Sequence, residues 1–127
     1  MFSDKRIMIV EDSKTVKLQL KLILDKLGVT VIEVSNEWAM FKKIEEYGKL
    51  VDLIIMDLVL KSEDGLDLIH KLKEDKRYRN IPILVLTEQA DIPNVLKAKE
   101  LGIKNYLRKP IKREKLVERI STIFNIL

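Results

Sequence analysis

The sequence predicts an α/β fold, a doubly wound parallel sheet of five β-α units with helices on both faces. Three observations predict it. Short apolar runs alternate with longer amphipathic segments along the chain. The runs Leu53–Met56 and Ile83–Leu86 are continuously apolar, as central strands buried on both sides are. Several runs end on a carboxylate, a hydroxyl or a lysine, and parallel sheets collect ligands at the carboxyl ends of their strands.

The first strand is expected near 6–11, around Ile7-Met8-Ile9-Val10, and the first helix near 14–27. Ser13 can cap that helix, and Gly28 stands at its end. At about 100° per residue, Val16, Leu20, Ile23, Leu24 and Leu27 share a face that packs on the sheet, while Leu18 and Leu22 point away. The second strand, near 29–34, mixes polar residues into its run and suits an edge. The second helix, near 36–47, starts at the candidate cap Asn36 and stops at Gly48; its Trp38 is expected to pack. The third strand falls near 52–57. The third helix falls near 65–76, with His70 as a solvent-facing or partly buried structural residue. Pro82 opens the fourth strand, near 81–87, where a missing donor matters least. A fourth helix near 91–101 ends at Gly102, followed by a strand near 103–107 and a helix near 112–125.

The 127 residues suit one domain, 1–127, with a single core and, by this reading, a stand-alone protein. No run of about 18 apolar residues is present to span a membrane, and the start Met1-Phe2-Ser3-Asp4-Lys5-Arg6 lacks the apolar stretch of a secretory signal. Cysteine is absent, which excludes disulfides and thiolate metal sites. A cytoplasmic location is the expectation. The net charge of +4 comes from 24 basic and 20 acidic residues mixed along the helices, which reads as solvated helix faces and not as a nucleic-acid surface.

Five positions converge if the runs are parallel strands. Glu11 and Asp12 follow the first, Asp57 ends the third, Thr87 ends the fourth, and Lys109 follows Asn105-Tyr106-Leu107-Arg108. Such a set can hold a divalent cation and phosphorylate an aspartate. With Lys109-Pro110, Asp64-Gly65 and Tyr106, these residues resemble the receiver domain of two-component response regulators over the whole chain, most of all the stand-alone chemotaxis type.

The resemblance implies a flavodoxin-like (βα)5 sheet of order 2-1-3-4-5 and a phosphorelay function. Asp57 is then the phosphoacceptor, served by Lys109 and Thr87, with catalysis limited to the domain's own aspartyl phosphorylation and dephosphorylation. Carboxylates crowded at one edge repel, at roughly 4 kcal/mol for a pair ~4 Å apart and an effective dielectric of 20. Mg2+ relieves that repulsion and keeps water among its ligands. Asp12 and Asp57 are the expected direct ligands, Glu11 acts through water, and the Val59 carbonyl is a ligand by resemblance. Pro110 is expected to follow a cis bond, as in the family.

Thr87 and Tyr106 fit the family's switch pair. The implied output surface is the fourth helix, fifth strand and fifth helix, where Lys97, Lys99, Lys104, Arg108, Lys112 and Arg119 suit an acidic partner. A histidine kinase or phosphotransfer protein is the implied donor, docking on the first helix with help from Leu18 and Leu22. The expected state is a monomer or a phosphorylation-dependent dimer. The chain departs from the family pattern in three places. Glu88 follows Thr87 where a small residue is usual, Lys61 replaces a common proline, and Val59 and Gln89 flank the site where the family varies. Glu88 keeps a second reading open, a phosphate-independent pseudo-receiver acting as an interaction module. A nucleotide or flavin enzyme finds no support, since neither G-x-x-x-x-G-K-[ST] nor G-x-G-x-x-G occurs.

Overall fold

A computed structural model describes residues 2–88 and 92–126. Strands β1 (Arg6–Val10), β2 (Thr30–Val34), β3 (Leu53–Asp57), β4 (Ile83–Thr87) and β5 (Asn105–Arg108) form one parallel sheet in the order β2-β1-β3-β4-β5. Helices α1 (Lys14–Lys26), α2 (Glu37–Tyr47), α3 (Gly65–Glu74), α4 (Ile92–Glu100) and α5 (Arg113–Ile123) alternate with them. This is the doubly wound order that the resemblance implied.

Period-two alternation along the strands divides the core into two layers. Met8, Val10, Ile54, Met56 and Val85 face Met40 and Ile44 of α2, Leu68, Ile69 and Leu72 of α3, and Ala98 of α4. Ile7, Ile9, Leu53, Ile55, Leu84 and Leu86 face Leu20 and Leu24 of α1 and Leu116 and Ile120 of α5. Strands β3 and β4 are therefore buried at every residue, whereas β2 and β5 alternate with exposed positions, as edges do. No helix among the described residues is long and apolar enough to cross a membrane.

The expected caps form: Ser13 Oγ accepts from the Val16 amide at 3.3 Å and Asn36 Oδ1 from the Ala39 amide at 2.8 Å. Several boundaries move for identifiable reasons. Val29 turns its amide to the Leu24 carbonyl, closing the exit of α1 at Gly28 (φ 83°), so β2 starts at Thr30. Helix α3 ends at Glu74, because Asp75 caps it and draws the Arg77 amide and guanidinium onto its carboxylate. Ile81 bonds Tyr78 within a turn, so β4 begins at Ile83. Ile103 bonds Ala98 to close α4, while Arg108 pairs with Thr87, which shifts β5 toward the carboxyl edge. A 3-10 turn at Gly48–Leu50 was not anticipated.

Trp38 requires a correction. It does not pack but is 71% exposed. The buried face of α2 is set by Met40 and Ile44, and a residue two positions before Met40 lies about 200° around the helix. His70 is solvent-facing and pairs through Nδ1 with Glu74 at 2.7 Å.

Candidate acidic site at the carboxyl ends of the strands

Strand register assembles the site. Val10 pairs with Met56 across β1 and β3, which brings Glu11 and Asp12 beside Asp57. Asp57 pairs with Leu86, and Thr87 with Arg108, so Thr87 and Lys109 stand on the same edge. The Lys109 amide donates to the Thr87 carbonyl at 2.8 Å, fixing the start of the turn that carries its side chain. The Lys109-Pro110 bond is cis, as expected.

Asp57 is 4% exposed and both its oxygens are engaged. Oδ1 accepts from the Val59 amide at 3.1 Å and Oδ2 from Lys109 Nζ at 3.0 Å. Glu11 is 1% exposed; its Oε1 accepts from the Ser13 amide at 3.0 Å. Its Oε2 lies 3.5 Å from Lys109 Nζ and is a buried acceptor without a hydrogen-bond partner among the described residues. Half-buried Asp12 accepts from the Lys61 amide and opens the cluster to solvent. Each of the three carboxylates offers an oxygen within 4.8 Å of the others.

The electrostatics follow from this crowding. Burial, reinforced by neighbouring Asp57, raises the Glu11 pKa to about 7. Burial alone lowers an ammonium pKa, but for Lys109 the Asp57 hydrogen bond and the charges of Asp57, Glu11 and Glu88 outweigh it, and the net shift is upward. Lys109 is thus a fixed cation beside more negative charge than it can neutralise. A buried carboxylate oxygen lacking a partner calls for a proton or a second cation. The all-oxygen donor set, with one half-open side for water, fits Mg2+.

Gly65 sets the wall of the site. A Cβ there would lie 2.4 Å from the Asp57 carbonyl oxygen and 2.7 Å from Leu58 Cα, so only glycine lets α3 start against the strand end. Asp64 caps that helix, accepting from the Leu66 amide at 2.9 Å. Sequence reasoning singled out Asp64-Gly65 but missed two loop tethers. The Lys61 amide bonds Asp12, and Glu63 Oε2 accepts from the Glu37 amide at 2.6 Å. The first uses a backbone group, which no side-chain pattern reveals; the second joins residues 26 positions apart.

Thr87 is buried at the edge, and its hydroxyl donates to the Glu88 carbonyl at 3.1 Å. Tyr106 is half-buried; its hydroxyl donates to the Ile103 carbonyl at 2.7 Å, and burial raises its pKa. Val59 is exposed, with its amide on Asp57. A groove of about 690 Å³ runs from Thr87, Glu88 and Lys109 past Tyr106 to Ile92 and Leu96, and takes in Lys99 and Arg108. Lys97 is exposed on α4 but does not line that groove. Leu18 and Leu22 stand out on α1, more than half exposed. Gln89 lies outside the described residues.

Comparison with known proteins points one way. The family model described as the response regulator receiver domain matches residues 7–121. The chain is 28% identical over 119 residues to chemotaxis protein CheY1 of Helicobacter pylori, covering 93% of this chain and 95% of that protein. It is 29% identical to the phosphate regulon transcriptional regulatory protein PhoB of Pseudomonas aeruginosa, over 94% of this chain and 51% of PhoB. Among solved structures, the signal receiver domain of a signal transduction histidine kinase from Syntrophus aciditrophicus matches with a TM-score of 0.84 at 30% identity. That match covers 95% of this chain and 90% of that one.

Proposed function

The chain belongs to the response regulator receiver family of two-component signalling, and from that premise we propose that Asp57 accepts a phosphoryl group from a histidine kinase or phosphotransfer protein. The observation that carries this reading is the buried Asp57 carboxylate at a strand end, held by Lys109 Nζ at 3.0 Å beside two further carboxylates. Asp12, Asp57, the Val59 carbonyl and, through water, Glu11 would hold Mg2+. When bound, that ion supplies positive charge against the carboxylates and the incoming phosphoryl oxygens.

An Asp57 oxygen attacks the phosphorus of the donor phosphohistidine. The P–N bond breaks, its electron pair leaves on the donor imidazole, and an aspartyl phosphate remains. Phosphoryl transfer needs chiefly positioning and charge stabilisation, so the protein's task is to hold Asp57 and present the Lys109 ammonium to the transferred oxygens. The Thr87 hydroxyl turns from the Glu88 carbonyl to a phosphoryl oxygen, and Tyr106, on the adjacent strand, follows. Water attack on phosphorus later returns the Asp57 carboxylate and releases inorganic phosphate.

The groove bounded by α4, β5 and α5 is the proposed output surface. Its exposed apolar residues Ile92 and Leu96 and its cations Lys99, Arg108, Lys112 and Arg119 suit an acidic partner segment. A phosphate-independent module stays the second reading, favoured by exposed Glu88, whose charge reaches Lys109 at the mouth of the site. Intact-mass measurement after incubation with phosphoramidate, with and without Mg2+, separates the two. A Mg2+-dependent phosphoryl adduct, lost in Asp57→Asn, is the expected outcome. A folded protein that takes no adduct, even as Glu88→Ala, would establish the module instead.

A further inference from the structure

Trp38 is the single tryptophan of the chain, and the fold leaves its ring in solvent. Trp38, Phe41, Lys42 and Glu45 recur at i, i+3, i+4 and i+7, so they form one stripe along α2, distinct from the buried Met40 and Ile44. Together with Glu63 and Lys71 this stripe lines a cleft of about 580 Å³ between α2 and α3. Phe41 is half-buried against the core and braces the stripe from below.

The charges of the cleft run against those of the chain. The protein carries +4 overall, yet here Glu37, Glu45 and Glu63 face only Lys42 and Lys71. Lys71 is held by Glu37. Lys42 Nζ sits 4.8 Å from the centroid of the Trp38 ring, so the ring already accepts a cation on its face. Nearby Arg77 makes its close pair with Asp75, and only its longer-range charge reaches Glu45. A guanidinium stacks on an indole and forks onto a carboxylate better than an ammonium does.

We propose that the cleft between α2 and α3, built on the Trp38 ring, is a further docking surface that takes an arginine-bearing segment of a partner protein. The arginine displaces Lys42 from the ring and pairs with Glu45. This surface selects charge opposite to that of the basic groove on α4, β5 and α5. The Glu63 bond to the first amide of α2 joins it to the loop that also holds Asp12.

The single tryptophan makes the test site-specific. The full chain is titrated with a peptide carrying three arginines and with the same peptide carrying citrulline, with Trp38 fluorescence and calorimetry as readouts. Saturable fluorescence change with the arginine peptide and roughly 10-fold weaker binding of the citrulline peptide are expected. Lys42→Ala should tighten binding, Glu45→Gln should weaken it, and Lys26→Ala, which removes an equal charge from α1, should leave it unchanged. Equal affinities for the two peptides, equal effects of the two lysine substitutions, or unaltered calorimetric binding by Trp38→Ala would each overturn the proposal. Exposure of Trp38 makes its substitution compatible with folding, and the assay requires no phosphoryl chemistry, so its outcome is independent of Asp57.

Discussion

Glu11 and Lys109 carry the electrostatic balance of the site, one as a carboxylate without enough partners and one as a cation with too many. A carboxyl whose folded pKa lies near 7, above its ordinary 4.5, withdraws stability as it ionises. That loss begins as pH rises past about 4.5 and is complete above about 7, on the order of 3 kcal/mol. Urea denaturation with a chelator present should thus show stability falling over this interval, and Glu11→Gln should flatten the profile. Mg2+ should restore most of the loss, with a larger effect at pH 8 than at pH 5. Lys109→Ala removes the ammonium 3.0 Å from Asp57, so phosphorylation by phosphoramidate should slow about 100-fold. Affinity for Mg2+ should hold or rise in the same variant, since a competing cation has gone. Loss of Mg2+ binding would mean that Lys109 shapes the site and does not merely charge it.

At the level of elements, the site depends on how closely α3 approaches β3. Gly65 permits that approach, and Gly65→Ala places a methyl group 2.4 Å from the Asp57 carbonyl. Backbone must move, at about 1–3 kcal/mol, and the loop bearing Val59 and Lys61 moves with it. Thermal denaturation should register the destabilisation, and Mg2+ affinity should fall as well. Unchanged affinity would show that the loop is decoupled from the helix start. The chain marks such joints unevenly. Ser13 and Asn36 are legible caps because a side-chain oxygen one residue before an amphipathic run has one obvious use. The end of α3 was not legible, since Asp75 competes for backbone groups only once Arg77 folds back onto it.

For the whole molecule, two faces besides the acidic edge and the Trp38 cleft are proposed for partners. Leu18 and Leu22 on α1 remain more than half exposed after α1 buries Leu20 and Leu24, and they are the proposed dock for the phosphodonor protein. Leu18→Asp should leave stability within about 0.5 kcal/mol, slow transfer from the cognate donor and spare phosphoramidate. Equal slowing with both donors would place the fault in the site itself. At the β5 edge of the sheet, the basic groove brings residues of α4, β5 and α5 together and sets exposed Ile92 and Leu96 among cations.

The sequence by itself determined the fold class, the strand-end positions of Glu11, Asp12, Asp57, Thr87 and Lys109, and the packed face of α1. Each depends on periodicity or on position within one element, and both are written along the chain. Tertiary structure decided the rest: that Asp57 has both oxygens engaged, that Glu11 Oε2 is buried without a hydrogen-bond partner among the described residues, and that a loop amide bonds Asp12. It also left Trp38 exposed where packing was expected. These outcomes depend on distances between elements far apart in the chain and on backbone groups that every residue carries, and neither leaves a signature in residue order.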